Sequence, residues 1–223
     1  VMPLIAEASG MVDSKKNNGF LWVHEDSGNP SVLHLLGHDG KVVKTVELAG
    51  IDNRDWEEMQ RSGDQLYLAD IGDNSAQYNE YRIYIFEEPD AQVQKVTGIQ
   101  TLRFVYEDGP RDAEAFLVDA RTKNIYIITK SDNPSWIYQL NFPFSYNSVN
   151  TARKVGQLSY SGVVGGAMSE NGTEVILKTY ARLHYYNFSQ NENLVTALQK
   201  KAKEIPYRLE PQGEAVAFAT DGS

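Results

Sequence analysis

Hydrophobic and polar positions alternate along this chain in short bursts. Apolar or aromatic runs are punctuated by Asp-Gly, Asn-Gly and Ser-Gly turns, a pattern that predicts strands almost throughout. The first run, Glu7-Ala-Ser-Gly-Met11, leads through a turn at Lys15–Gly19 to Phe20–His24, which ends in Glu25-Asp26-Ser27-Gly28. A second hairpin, Val32–Leu36 and Val42–Leu48, brackets His38-Asp39-Gly40. The cycle then restarts. Asp55-Trp56-Glu57 runs into Met59, a turn at Arg61–Asp64 and the strand Leu66-Tyr67-Leu68, closing on Asp70-Ile71-Gly72-Asp73-Asn74. Only Asn193–Glu204 has helical character, and it is short and basic.

The restart is one period of a repeat. Met11, Met59, Phe116, Met168 and Val216 align at intervals of 48, 57, 52 and 48 residues. Two places before them stand Ser9, Glu57, Glu114, Gly166 and Glu214; four places before stand Glu7, Asp55, Asp112, Val164 and Gln212. The second strands align as Leu21–Val23, Leu66–Leu68, Ile125–Ile127 and Val175–Leu177. Units of about 50 residues with four strands each predict an all-β fold, a β-propeller of four-stranded blades. Five blades are expected, with six left open, in a single domain over residues 1–223. The fifth unit stops at its first turn, so its blade is expected to be incomplete here, about 30–60 residues short on the repeat length. Residues 1–5 could supply one outer strand of it, but not three.

In a propeller the first strand of each blade lines the central channel, so first-strand starts and second-strand ends gather at one mouth. Glu7, Asp55, Glu57, Asp112, Glu114 and Glu214 are therefore candidate metal ligands, with Asp70, Asp73 and Asp132 nearby. Carboxylates in that number cannot all be ionised and dry without a counter-charge. Ca²⁺, which accepts six to eight oxygens in flexible geometry, suits them. Two alternatives stand beside it. Each acid could bracket a turn or pair with Arg54, Arg82 or Arg111, or the carboxylates could act directly in catalysis. The fourth unit offers Gly165-Gly166 in place of acids and carries Lys178 on its second strand. With Lys130, Arg82 and Arg182 it forms a cationic side that could seat an anionic substrate, or could merely balance the acids. His24 falls at a second-strand end and is a further catalytic candidate, against a plain strand histidine. Asp70 opens a segment like a fragment of a calcium loop, against a tight turn.

Composition narrows the classes. Hydrophobic residues make up 41% of the chain and Tyr numbers 13, ample for a core. Lys plus Arg is 21 against 30 acids, a net charge of −9, which argues against nucleic acid and favours a cation or neutral ligand. No apolar run reaches the roughly 18 residues of a membrane span. The absence of cysteine removes disulfides and thiolate metal sites. The chain opens Val-Met-Pro without a basic or apolar leader, so a signal peptide was either removed or never present. No G-x-S-x-G elbow, P-loop or Rossmann fingerprint occurs.

Glu7-Ala-Ser-Gly-Met11, Leu21–Gly28, Asp55-Trp-Glu-Glu58, Ala69–Asn74, Asp112-Ala-Glu-Ala115 and Gln212-Gly-Glu-Ala215 resemble a family of bacterial, usually exported propeller proteins. That family is similar to phytase-like and TolB-like propellers. The resemblance implies a propeller fold and a secreted or periplasmic address. β-Propeller phytases bind Ca²⁺ and hold phosphate with Lys and Arg. By that likeness Glu57, Glu114 and Glu214 would be axial cation ligands, and Lys130 and Lys178 phosphate contacts. Metal-dependent lactonases of the gluconolactonase type place a Glu at an inner-strand start, as Glu7 stands here. Neither active-site set is matched residue by residue. Two functions are thus expected in competition. One is a Ca²⁺-dependent hydrolase of a phosphoester or lactone. The other is a monomeric, non-enzymatic propeller that binds a small molecule or protein at its mouth.

Overall fold

The computed structural model describes residue 5 and residues 7–222. The outer strand expected from residues 1–5 lies, apart from Ile5, outside them. The described chain forms four antiparallel meanders. The first contains β1 (Ala8–Asp13), β2 (Phe20–Glu25), β3 (Val32–Gly37) and β4 (Val42–Leu48). The second contains β5 (Trp56–Ser62), β6 (Gln65–Asp70), β7 (Tyr81–Glu87) and, after the short β8 (Lys95–Val96), β9 (Gln100–Tyr106). The third runs β10 (Ala113–Val118), β11 (Ile125–Thr129), β12 (Trp136–Leu140) and β13 (Asn150–Gln157). The fourth runs β14 (Val163–Met168), β15 (Glu174–Thr179), β16 (Arg182–Asn187) and, after helix α1 (Leu194–Leu198), β17 (Lys203–Ile205). The Gly63 turn at φ +65° shows why glycine closes the β5–β6 hairpin: few other residues adopt that backbone without strain.

Two of the outer edges are covered rather than open. β8 leaves the second meander to pair in parallel with β4, and β9 pairs in parallel with β13. Such pairing removes the free donors and acceptors that make edge strands adhesive. Adjacent meanders pack over three apolar cores. Trp22, Leu33, Trp56 and Met59 fill the first, Ile83, Phe104, Phe116 and Tyr138 the second, and Leu117, Ile128, Leu177 and Leu194 the third. A strand between two such cores is buried on both faces. This accounts for the unbroken apolar run of β11, whose five residues are all buried.

The expected helix is shorter than its sequence signal. Asn193 caps it by accepting the Val195 N–H at 2.9 Å, but the helix stops at Leu198. Lys203–Ile205 instead pairs with β16, where the ladder satisfies an edge that a longer helix would leave open.

The four innermost strands share one irregularity. In β1, β5, β10 and β14 the ladder register skips Ser9, Glu57, Glu114 and Val164 respectively. A β-bulge re-aims the unpaired side chain and bends the strand. The same registers correct the fourth unit of the repeat. Met11, Met59 and Phe116 face Val23, Leu68 and Ile127, and the residue that faces Leu177 is Gly166, not Met168. The fourth bulge residue is therefore Val164, and Gly165 takes the place of Gly10, Glu58 and Ala115. β5 packs against β1, β10 and β14 around the axis. Residues 213–219 are half-buried but form no strand, with Ala217–Ala219 lining a small cavity together with Met11 of β1 and Met168 of β14. The fold is all-β and propeller-like.

Candidate metal centre at the acidic mouth

The bulges and the second-strand ends build the mouth. Backbone N–H groups of Asp26, Gly72 and Lys130 donate to the carbonyls of Glu7, Asp55 and Asp112 at 3.2, 3.2 and 3.0 Å. These bonds place three columns side by side: Glu7/Asp55/Asp112, the bulge column, and Asp26/Gly72/Lys130. Asp26, Asp55 and Glu57 each present a carboxylate oxygen within 4.8 Å of the other two. Gly72 makes room for them. A β-carbon there would overlap Glu57 Oε1 and stand 2.6 Å from Asp55 Oδ2.

The mouth holds more carboxylates than its donors relieve. Burial pushes Glu57 well above the usual carboxylate range, and Glu114, Asp26, Asp55 and Glu214 push further. Burial and then Asp26 raise Asp55 to about 6. Burial holds Glu114 at about 8, although Lys130 pairs with its Oε1. Glu214 is raised by burial despite a 2.8 Å hydrogen bond from Tyr180 Oη. Glu114 Oε2 is buried with no hydrogen-bond partner among the described residues. A cavity of about 440 Å³ opens beside this group, lined by Glu7, Ala8, Met11, Asp26, Glu210 and Glu214 among others. An all-oxygen donor set of this charge, a backbone cradle without a side chain and an orphaned buried oxygen together fit a hard divalent cation.

Other candidates sit differently. Glu7 is exposed at the rim. Asp112 is satisfied by the protein, its Oδ1 accepting the Asp73 N–H at 3.1 Å and its Oδ2 the Ser131 hydroxyl. Asp70 is fully buried and accepts from Arg54 Nε at 3.2 Å and the Asp55 N–H at 3.1 Å, so it brackets the loop. Arg82 lies one strand further from the axis, beside Glu80. His24 is fully buried edge-on to Trp56, and burial lowers it to about 4, leaving it neutral. Lys178 faces Gly165 in the ladder, the register His24 holds opposite Gly10, so it points inward under residues 210–215. Its ammonium meets Glu210 at 3.3 Å and the Ala215 carbonyl at 3.2 Å. Lys130 reaches the mouth, paired with Glu114. Asp26 was missed by the repeat columns. Its place one residue past the second strand, matching Lys130, is the signal that finds it.

No family model and no curated protein matches the chain. Among solved structures it is similar to an auxiliary nutrient binding protein from Bacteroides thetaiotaomicron, at TM-score 0.52 and 11% identity, covering 92% of this chain and 43% of that one. Hydrazine synthase from Kuenenia stuttgartiensis aligns at TM-score 0.48 and 11% identity, over 92% and 51%. A 6-phosphogluconolactonase-like protein from Bacteroides uniformis aligns at 0.45 and 14%, over 91% and 57%. The chain spans about half the length of these structures. At such identity the first likeness speaks to fold alone. The class defined here is an all-β, propeller-like protein with an acidic mouth. Among the described residues no helix is long and apolar enough to cross a membrane.

Proposed function

We propose that the mouth binds a divalent cation, Ca²⁺ by its oxygen-only donors, and that the protein is an exported, monomeric, five-bladed hydrolase of small esters, either lactones or phosphoesters. One observation carries this reading: Asp26, Asp55 and Glu57 converge within 4.8 Å, and the partners of their carboxylates among the described residues, Ser27 and Ser9, are not basic. These three would hold the cation, which when bound supplies Lewis-acid polarisation and a more acidic water. The chain's own groups have separate tasks. Glu114, raised to about 8 while no cation is bound, is the group that would exchange a proton with a leaving oxygen. Lys130 stands beside it to stabilise developing negative charge. Tyr180 orients Glu214.

A second reading, a non-enzymatic ligand-binding propeller, is favoured by the engagement of Lys130 with Glu114 and of Lys178 with Glu210. The nutrient-binding description of one structural neighbour is in keeping with it. The deciding experiment assays a panel of lactones and phosphomonoesters with Ca²⁺ and with chelator. The hydrolase reading expects Ca²⁺-dependent turnover that falls about 10²–10³-fold in Lys130→Ala. No turnover across the panel by calcium-loaded protein, or full activity in the variant, would overturn it in favour of binding.

A further inference from the structure

Glu214 reaches the mouth on a segment that no strand ladder holds. After β17, residues 206–215 form no strand, and side chains at the end of β15 tie them down. Tyr207 Oη stands 3.2 and 2.7 Å from the Thr179 and Tyr180 carbonyls, to which it can donate. Lys178, only 4% exposed, donates to Glu210 at 3.3 Å and to the Ala215 carbonyl at 3.2 Å. One buried ammonium thus grips the segment on both sides of Glu214. Gly165 makes room for it, because a β-carbon there would overlap the Glu214 carbonyl. Seated in this way, Glu214 accepts from Tyr180 Oη at 2.8 Å, and its Oε2 lies 3.3 Å from the Ser9 hydroxyl. The same hydroxyl stands 3.5 Å from Glu57 Oε2. Residues 210–215 also wall the cavity of about 440 Å³, whose other lining residues are Glu7, Ala8, Met11 and Asp26.

We propose that residues 207–215 are a strap over the cation site, that Lys178 is the positioning residue that seats it, and that cation binding and strap docking reinforce each other. The docked strap brings the Glu214 carboxylate to within one shared hydroxyl of Glu57. It adds negative charge beside the Asp26, Asp55 and Glu57 oxygens without itself being a ligand. Unseating the strap removes that charge and weakens the hold on a divalent cation. By linkage, the bound cation favours the docked strap by the same factor. This rests on the cation reading of the mouth and adds its regulation.

The strap carries one site for trypsin, the exposed Arg208, which the protease reaches once the strap lifts. The test compares cleavage after Arg208 with cleavage in the Lys15–Lys16 turn, at the far end of β1, in the full chain with calcium and with chelator. Such cleavage tracks the open fraction when lifting and reseating are fast. Calorimetric Ca²⁺ titration runs beside it, and circular dichroism checks the fold of each variant. Calcium should slow relative cleavage after Arg208 about five- to tenfold in the wild type. Lys178→Met and Gly165→Ala unseat the strap by different routes. Both should be cleaved faster in chelator and bind Ca²⁺ about five- to tenfold more weakly. Saturable Ca²⁺ binding by the wild type with unchanged cleavage after Arg208 overturns the coupling and leaves the cation mouth intact. A variant cleaved faster but binding Ca²⁺ as the wild type does also overturns it, and folded variants cleaved no faster overturn the clamp. Should a variant fail to fold, the other variant and the wild-type response to calcium decide. No Ca²⁺ binding by the wild type overturns both this inference and the reading beneath it.

Discussion

Glu57 and Glu58 are neighbours on β5, both buried, and both pushed up by burial, yet they stand in opposite circumstances. Glu58 points into the axis and is satisfied by the protein. Its Oε1 accepts the Met59 N–H and its Oε2 the Gly166 N–H, each at 2.8 Å. Gln60, two residues on, donates to the Gly166 carbonyl at 2.6 Å, so β5 and β14 are tied across the axis. Gly165 leaves room beside that tie. A β-carbon at Gly165 would stand 3.4 Å from Glu58 Oε2 and overlap the Glu214 carbonyl. Glu57, lifted out of the ladder by its bulge, meets the carboxylates of Asp26 and Asp55 and one shared hydroxyl, and feels the charges of Glu114 and Glu214 as well. Burial alone therefore does not separate the two acids. The supply of donors does.

The largest effect expected from this contrast is at Glu58. Glu58→Ala orphans two buried N–H groups, each worth roughly 1–3 kcal/mol, and should cost about 2–5 kcal/mol in urea unfolding, with calcium giving no rescue. A loss below about 1 kcal/mol would remove the axial tie from the account.

Glu57→Gln should behave in the reverse manner. In chelator its stability should match or exceed that of the wild type, because like-charge repulsion is relieved. The calcium stabilisation, about 2.7 kcal/mol for the wild type at a hundred times Kd, should vanish. Magnesium should stabilise the wild type less, since it demands tight octahedral geometry. A Glu57→Gln protein as unstable as Glu58→Ala would erase the contrast.

pH sharpens it further. Asp55 at about 6 and Glu114 at about 8 lie above their unfolded values. Such raised carboxyls favour the folded state while protonated and lose that advantage as pH rises through the folded pKa. In chelator the melting temperature should fall between pH 5 and 8.5, and calcium should flatten the slope. His24, depressed to about 4, acts oppositely, costing stability as pH falls below its unfolded value of 6.5. The smallest effect is at Arg82. Arg82→Ala should change stability by no more than about 0.5 kcal/mol and leave calcium binding untouched.

The architecture was largely legible in the sequence because turns and paired second strands leave strong marks: Gly40, Gly63 and the aligned Leu21–Val23 to Val175–Leu177 runs. The fourth unit was misregistered because Gly166 fills a position that is apolar elsewhere, and a glycine carries no hydrophobic signal. Met168, two residues on, supplied a false one. The acid columns were legible as positions, but their fates were not. Whether a carboxylate is neutralised depends on donors from distant segments: Asp73 for Asp112, Arg54 for Asp70, Gly166 for Glu58. Asp26 escaped because no repeat column contained it, and Lys178 was given to the mouth because residues 210–215, which cover it, have no strand signature.

The central claim is that donor-poor carboxylates at the mouth are completed by a cation. Calorimetric titration of Ca²⁺ into chelator-treated wild type at pH 7.5, beside the Asp26→Asn/Asp55→Asn double variant, tests it most directly. Saturable binding in the wild type and a loss of at least one ion per chain in the double variant is the predicted result. An absence of saturable heat in the wild type, or an unchanged isotherm in the variant, would contradict it.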